Sequence, residues 1–342
     1  MHVLEAGEPG QPAVLLLHGF PELAFSWRKV MPALAQAGFH VIAPDQRGYG
    51  ETTGWDDGYD GDLSSYRALN LVEDAAQLLA RMDIRGAHVV GHDFGSPVAA
   101  YCAMTRPKQF QSVALMSAPF GGQPIGSRDP HVHDELARLG RKHYQWYYST
   151  READRDMRQC AQGLPAFLRA YYHYKSADWP GNKPSRLERW SAPELAKLPT
   201  YYVMELDKSM ADTVAPYLPQ RAPAWLTDDE LSVYANAFAR TGFQGGLQWY
   251  RCATSPEQSA ALREATAGKT IDVPALFIAG AADWGIYQKP GEFERMQKSA
   301  CTDFRGCHLI PGAGHWVQQE QPARTSELLI DFLRTVRGRS PN

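Results

Sequence analysis

The sequence lacks the features that mark most membrane, secreted and zinc-binding proteins. No run approaches the roughly 18 consecutive apolar residues of a membrane span, and the start, Met1-His2-Val3-Leu4-Glu5, has no positive stretch followed by a long apolar one. The five cysteines form no Cys-x-x-Cys pair; they are Cys102, Cys160, Cys252, Cys301 and Cys307. We therefore expect a cytoplasmic protein with free thiols and no zinc site, although Cys301 and Cys307 are close enough in sequence to be bridged.

A strong charge of one sign is also missing. The 342 residues carry a formal net charge of -3, with 44% hydrophobic and 21% charged residues. This balance argues against a nucleic-acid partner or a membrane surface. Neither a phosphate-binding glycine loop nor a cluster of metal ligands is present, so we expect no cofactor and no metal. The length suggests one large domain or a core with an insertion.

Short apolar runs alternate with segments of helical period over about 1–117 and 270–336. The candidate strands are Ala13–Leu17, His40–Ala43, Ala87–Gly91, Ser112–Met116, Ala275–Ala279 and Cys307–Ile310. Between them, residues 69–79, 96–105 and 327–336 repeat apolar positions at spacings of three and four. This alternation predicts an α/β fold, with a mostly parallel central sheet flanked by helices.

The middle of the chain differs. Between about Phe120 and Pro256 we find no comparable strand candidates, but many helical stretches and a heavy load of tyrosine and tryptophan. Large aromatic side chains bury much area, which suits a small helical unit. We therefore predict a core domain of residues 1–120 and 256–342, interrupted by a mainly helical domain of residues 121–255.

The clearest chemical signal is VVGHDFGSP, residues 89–97, where an apolar strand runs directly into a helical pattern. It has the form of a nucleophile elbow, a strained turn in which the positions two before and two after the nucleophile must be small. Gly91 and Gly95 meet this requirement around Asp93. An aspartate near the start of a helix is also a common structural feature, so the neighbouring motifs must decide its role.

Two donors for an oxyanion are suggested by the turns next to this aspartate. His18-Gly19-Phe20-Pro21 directly follows the first predicted strand of the core, and such a turn can aim a backbone N–H at a developing negative charge. Phe20 is the candidate for one donor. Phe94, which follows Asp93, is the candidate for the other.

An acid and a histidine follow in the order that a catalytic triad requires. Asp283 lies just beyond the strand 275–279, and His315 lies in a glycine-rich loop after the next strand. Both are therefore expected at the sheet edge where open α/β sheets bind ligands. Asp93, Asp283 and His315 stand in the chain order of the α/β-hydrolase triad.

These motifs resemble those of the epoxide hydrolases of the α/β-hydrolase superfamily, over nearly the whole chain. The resemblance is carried by HGFPE (18–22), DQRGYG (45–50), GHDFG (91–95), TGFQGGLQWYR (241–251) and GHW (314–316). It implies an α/β-hydrolase fold whose inserted domain is a cap. In that family two cap tyrosines hydrogen-bond the epoxide oxygen, and the matching segments single out Tyr147 and Tyr250, with Tyr144 and Tyr148 as alternatives to Tyr147.

A carboxylate opposite phenols suits an epoxide, which offers a carbon to attack and an oxygen to protonate. Asp93 is expected to open the ring and form an ester, and water activated by His315 and Asp283 then releases a vicinal diol. The expected partners are a small lipophilic epoxide and water. The oligomeric state stays open, with a homodimer as one option.

Two other readings remain. Haloalkane and haloacid dehalogenases share the aspartate nucleophile, but the halide-holding tryptophan usual directly after it is here Phe94, and residues 96–101 contain no arginine. A non-catalytic ligand binder with the same fold is also conceivable on fold alone. Against it stands the complete set of Asp93, Asp283 and His315, which a binder would have no chemical reason to keep together.

Overall fold

The computed structural model describes residues 1–122 and 131–336. Within them the chain forms nine strands: β1 (Val3–Ala6), β2 (Ala13–Leu17), β3 (His40–Pro44), β4 (Ala87–His92), β5 (Phe110–Met116), β6 (Arg141–His143), β7 (Val203–Glu205), β8 (Ala275–Gly280) and β9 (Phe304–Ile310). Seven of these form one sheet in the order β1-β3-β2-β4-β5-β8-β9. Neighbouring strands in this sheet are parallel, except that β1 pairs antiparallel with β3.

The predicted α/β architecture is confirmed. All six predicted strands are present, and the last begins earlier than expected, at Phe304. The short edge strand β1 was not among the predicted strands; it is only partly buried, so it lacks the continuous apolar run of the central strands. By contrast β2, β3 and β4 are buried throughout, as strands covered by helices on both faces should be.

The helices are α1 (Met31–Gln36), α2 (Ala68–Arg81), α3 (Gly95–Thr105), α4 (Val132–Arg138), α5 (Tyr144–Tyr148), α6 (Glu152–Arg158), α7 (Leu164–Lys175), α8 (Ala192–Leu195), α9 (Met210–Val214), α10 (Asp228–Thr241), α11 (Gln244–Thr254), α12 (Ala260–Thr266), α13 (Glu292–Arg295), α14 (Val317–Glu320) and α15 (Pro322–Val336). The three predicted helical segments correspond to α2, α3 and the second half of α15. No helix in the described ranges is long and apolar enough to cross a membrane.

Strand β2 shows how the sheet divides the core into two layers. Leu15 and Leu17 belong to an apolar cluster that includes residues of α2, α3 and the inserted segment. Val14 and Leu16 face the opposite side and pack with α1 and α15. Alternate residues of a strand point to opposite faces, so one side of the sheet faces the insertion and the other is closed by the terminal helix.

The inserted segment, between β5 and β8, is mainly helical, as predicted, but it also contains a small antiparallel sheet. Strand β6 pairs with β7, with Arg141 opposite Glu205 and His143 opposite Val203. No strand was predicted here, because β6 is three residues long and made of Arg, Lys and His. Such a strand has no apolar run by which to detect it.

Helix α11 of the insertion lies directly against a turn of the core. A Cβ added at Gly245 would stand 2.3 Å from the Gly48 carbonyl oxygen and 2.5 Å from its Cα. Beyond this contact, Trp249 Nε1 donates to the Arg47 carbonyl at 3.0 Å. The glycine pair therefore sets how closely α11, which carries Tyr250, approaches the sheet.

Gly245→Ala is expected to destabilise the protein by about 1–3 kcal/mol, because the new methyl group has backbone rather than a flexible side chain to displace. Urea denaturation of the variant measures this loss. Gly306→Ala is a matched control, since the nearest atom to its added Cβ is the His308 side chain at 3.2 Å. Equal unfolding midpoints for Gly245→Ala and the unaltered protein would show that this contact does not hold α11 in place.

Candidate active site

Asp93 stands in a tight turn between β4 and α3. Its φ is 51°, a left-handed conformation that few residues other than glycine adopt. A Cβ at Gly91 would lie 2.1 Å from the Gly95 carbonyl oxygen, and one at Gly95 would lie 2.3 Å from the Leu17 carbonyl oxygen. The predicted elbow geometry is therefore present, and the close backbone contacts explain why both flanking positions are glycine.

The carboxylate of Asp93 is held from two sides. The Phe20 N–H donates to Oδ1 at 3.0 Å, and Oδ2 lies 3.0 Å from Nε2 of His315. The charge and hydrogen bond of His315 outweigh the effect of burial and hold the pKa of Asp93 far below its usual range. The two carboxylate oxygens thus have different surroundings: one faces a backbone donor, the other faces the imidazole.

Phe20 and Phe94 were both predicted to donate a backbone N–H to the oxyanion, but they differ in their contact with Asp93. Within residues 1–122 and 131–336, the Phe20 N–H donates to the Asp93 carboxylate, whereas the Phe94 N–H does not. The Phe94 ring instead contacts Tyr250 at 5.0 Å between centroids. Its role as second oxyanion donor stays a prediction.

His315 lies between two carboxylates. Its Nδ1 is 3.1 Å and 3.2 Å from the two carboxylate oxygens of Asp283. Asp283 Oδ1 also accepts the Gly285 N–H at 2.7 Å, so its orientation is fixed. Burial and the charge of Lys175 lower the pKa of His315, but Asp283 and Asp93 together outweigh them and raise it above its usual value. The three residues predicted as a triad are therefore joined in one buried chain of contacts.

The loop that carries His315 is held in place by Glu320, a residue that was not predicted to belong to the site. The Glu320 carboxylate accepts N–H groups from Gly314 and Trp316, on either side of His315, and from Ala177, all at 2.8–2.9 Å. Burial raises the pKa of Glu320 to about 7. A residue five positions beyond the histidine thus orients the loop through its backbone, a role with no sequence signature of its own.

A second buried contact between a histidine and a carboxylate lies next to the triad. Nδ1 of His92 is 2.6 Å from Oε2 of Glu22, and Nε2 of His92 is 2.7 Å from the His315 carbonyl oxygen. Glu22 also accepts the Gly19 N–H at 2.9 Å and the Gln318 side-chain amide at 2.9 Å. Both residues lie in the quoted motifs HGFPE and GHDFG, but no role was predicted for them. The pair links the Phe20 turn to the His315 loop.

Two tyrosines of the insertion, Tyr144 and Tyr250, lie near enough to Asp93 for its charge to act on both. Their rings lie 5.9 Å apart, and Tyr250 also packs 5.4 Å from the Phe20 ring. Burial, followed by the negative charge of Asp93, raises the pKa of both hydroxyls well above the usual value, so both stay protonated. The Tyr144 hydroxyl donates to Gln288 Oε1 at 3.1 Å. Within the described residues, the Tyr250 hydroxyl has no hydrogen-bond partner.

The assignment of Tyr147 is corrected by the structure. Its hydroxyl donates to Asp156 Oδ2 at 3.1 Å, and its ring lies under the Lys142 ammonium at 4.9 Å. It lines a separate cavity of about 430 Å³ together with Asp156 and Asp212. Tyr147 is thus buried against a second cavity, whereas Tyr144 lies beside Tyr250.

Aromatic rings form the wall between Asp93 and the insertion. Phe20 contacts Tyr148 at 5.1 Å, and Tyr148 contacts Tyr250 at 5.1 Å. The Tyr148 hydroxyl donates to Tyr171 at 3.3 Å rather than facing Asp93. The side of Asp93 toward the insertion is thus lined largely by aromatic rings, which suits an uncharged lipophilic ligand.

Comparison with known proteins places this geometry in a family. Residues 12–322 match the family described as α/β hydrolase fold. Epoxide hydrolase B of Mycobacterium tuberculosis is 34% identical over 98% of this chain and 96% of its own length, and epoxide hydrolase A of the same organism is 35% identical over 97% and 94%.

Solved structures agree. An epoxide hydrolase from an endophytic Streptomyces is 30% identical, with a TM-score of 0.79 over 98% of this chain and 92% of that one. Epoxide hydrolase A from Mycobacterium thermoresistibile is 34% identical, with a TM-score of 0.75 over 97% and 94%. The elbow at Asp93, its contact with His315 and the near full-length matches lead to one conclusion: this chain belongs to the α/β-hydrolase fold family and, within it, to the epoxide hydrolases.

Proposed function

We propose that this protein hydrolyses a small lipophilic epoxide to a vicinal diol, through an ester formed on Asp93. The observation that carries the proposal is the placement of an ionised carboxylate, in contact with the buried pair His315 and Asp283, opposite the two protonated phenols Tyr144 and Tyr250. The named relatives, which match nearly the whole chain, support the same activity.

The first step is attack on an epoxide carbon. Oδ1 of Asp93 is held by the Phe20 N–H, so Oδ2 is proposed as the attacking atom and Oδ1 becomes the carbonyl oxygen of the ester. The C–O bond of the ring breaks, and its electron pair goes to the epoxide oxygen. Tyr144 and Tyr250 donate to that oxygen as it becomes an alkoxide, which is where their protonated state is required.

The second step is hydrolysis of the ester. His315 takes a proton from water, and the hydroxide so formed adds to the carbonyl carbon of the Asp93 ester. The tetrahedral oxyanion develops on Oδ1, where the Phe20 N–H already lies and where the Phe94 N–H is proposed to join it. Collapse breaks the bond between Cγ and Oδ2, so Oδ2 leaves with the substrate carbon as the second hydroxyl of the diol and takes the proton of the added hydroxide. Asp93 regains its carboxylate with one oxygen from water, and the proton gained by His315 returns to the phenol that protonated the alkoxide.

Formation of the ester also prepares His315 for its task. In the resting site the Asp93 carboxylate is one of the groups that raise the pKa of His315. The ester carries no charge, so this contribution is lost as soon as the ring opens, and His315 becomes a readier base. The first step thereby switches on the second.

Epoxides and chloroalkanes separate this proposal from the dehalogenase alternative. With Tyr144 and Tyr250 as donors and phenylalanine at positions 20 and 94, we expect diol formation from a styrene-type epoxide to exceed halide release from a chloroalkane by at least ~10²-fold, the effect of a donor matched to a developing oxyanion. Chromatography of the diol and colorimetric assay of halide measure the two rates. Halide release that is as fast as diol formation would contradict the proposal.

We propose that residues 121–255 act as a cap, since Tyr144 and Tyr250 of this segment lie near Asp93 of the core. A cytoplasmic location is supported by the five cysteines, all of which are free thiols, so Cys301 and Cys307 are not bridged. A homodimer stays a prediction, which sedimentation velocity would test.

A further inference from the structure

Lys175, the last residue of α7, lies against the loop of the proposed catalytic histidine. Its carbonyl oxygen accepts the His315 N–H at 2.9 Å. A Cβ added at the neighbouring Gly314 would stand 2.6 Å from this carbonyl oxygen. The side chain of Lys175 is only 3% exposed. The residue is thus a buried part of the wall around the triad, although the reaction proposed above gives it no role.

The Lys175 ammonium is surrounded by aromatic faces. It lies 5.1 Å from the ring centroid of Tyr202, 5.2 Å from that of Trp316, 5.3 Å from that of Tyr171 and 5.9 Å from that of Tyr201. Among residues 1–122 and 131–336, no carboxylate is within ion-pair distance of it. Aromatic faces offset only part of the cost of burying a charge. An apolar side chain would cost less here, so a purely structural role explains the lysine poorly.

The charges that face Lys175 belong to the active site. Asp93 follows β4, Asp283 follows β8, and Glu22 lies in the Phe20 turn; each of these carboxylates acts on the Lys175 charge. His315 contacts Asp93 and Asp283, and His92, whose ring lies 5.2 Å from that of His315, contacts Glu22. The three tyrosines around the ammonium are protonated and carry no charge. Burial lowers the pKa of Lys175, and the charges of Asp93, Asp283 and Glu22 act in the opposite direction to keep it protonated. The ammonium thus stands beside a group of three carboxylates and two histidines.

We propose that Lys175 is a positioning residue of the reaction: its fixed positive charge keeps His315 in the neutral form that ester hydrolysis requires. The inference rests on the ester mechanism proposed above. In this proposal the charge of Lys175 acts in the second step, after Asp93 has been esterified. Once Asp93 is esterified, the negative charge left beside His315 is that of Asp283, and Lys175 opposes its tendency to keep the imidazole protonated.

The sign of the effect follows from this arrangement. Lys175 lowers the pKa of His315, against the two carboxylates that raise it. Removing the charge must therefore raise that pKa further. Hydrolysis needs neutral His315, so the rate is lost as pH falls through this pKa, and the loss must begin at higher pH in a variant without the charge.

Lys175→Met, similar in shape but uncharged, tests the proposal. Single-turnover rates of ester hydrolysis would be measured between about pH 5.5 and pH 9, a range that spans an ordinary histidine pKa. We expect the acid limb of the profile to move up by about one pH unit, the size of one charge acting across several ångströms of protein. Hydrolysis would be up to ~10-fold slower at the acid end and equal to that of the unaltered protein at the alkaline end.

Two matched variants separate charge from shape. Lys175→Arg keeps the charge and should keep the profile of the unaltered protein. Lys142→Met removes another lysine that lies over an aromatic ring, that of Tyr147, but far from Asp93, and should also leave the profile unchanged. Because Lys175→Met removes a buried unpaired charge, its unfolding midpoint in urea should stay the same or rise. If that variant does not fold, Lys175→Gln takes its place.

An NMR titration of His315 in the free enzyme gives a readout that needs no turnover. An upward shift of its pKa in Lys175→Met supports the proposal even if the protein makes no ester, in which case the proposed function alone fails. The proposal about Lys175 is overturned if this pKa and the hydrolysis profile are unmoved or move down. It is equally overturned if Lys175→Arg raises the His315 pKa as far as Lys175→Met does, or if Lys142→Met changes this pKa at all.

Discussion

Replacing His315 by glutamine is expected to stop the second half of the reaction and leave the first half intact. Glutamine can still form a hydrogen bond to Asp93, whose Oδ2 lies 3.0 Å from His315 Nε2, but its amide cannot accept a proton from water. Asp93 should therefore still open the epoxide. The ester then persists, and steady-state turnover should fall by ~10³–10⁴-fold, as for the loss of a general base.

Mass spectrometry of the intact chain detects this block directly. After exposure of His315→Gln to an aryl epoxide, the mass should rise by that of one substrate molecule, and peptide mapping should place it on Asp93. His308→Gln is the matched control, because His308 lies on β9 away from Asp93; it should turn over normally and carry no adduct. An unchanged chain mass in His315→Gln would remove the ester from the mechanism.

Much of the core could be predicted because its signals are local. Parallel strands that are buried on both faces are mostly apolar along their length, as β2 and β8 are, and the buried β4 is apolar apart from His88 and His92. The elbow requires glycine on both sides of Asp93, for steric reasons that are visible in the sequence. Since Asp283 and His315 each follow such a strand, the fold itself brings them to one edge of the sheet.

The cap side of the site depends on contacts that the sequence does not encode locally. Helix α5 is five residues long and contains three tyrosines, so composition cannot show which one faces Asp93. Strand β6, which directly precedes α5 and pairs with the distant β7, consists of Arg, Lys and His and is therefore missed by a search for apolar runs. Lys175 lies far before His315 in the chain and Glu320 five residues after it, and neither belongs to a motif that would indicate its contact with the His315 loop.

The double variant Tyr144→Phe, Tyr250→Phe is expected to lose ring opening, the half of the reaction that His315→Gln retains. Each phenol is a proposed donor to the epoxide oxygen, and the loss of one such donor typically costs ~10²–10³-fold. We expect ~10²-fold for each single variant and ~10³-fold or more for the pair, because either donor alone retains part of the stabilisation. Stopped-flow or rapid-quench measurement of ester formation gives the rate of this step.

Tyr147→Phe is the matched control for these variants, and it decides between the two assignments of the first tyrosine. Its hydroxyl bonds Asp156 outside the site, so ester formation should be unchanged, with a loss of stability of about 0.5–1.5 kcal/mol at most. Tyr250 should be the more sensitive of the other two positions, because Tyr144 must exchange its bond to Gln288 for one to the substrate. If Tyr147→Phe slowed ring opening as much as Tyr144→Phe, the Tyr147 hydroxyl would have to leave Asp156 and approach Asp93 during catalysis. Helix α5 would then have to rotate when substrate binds.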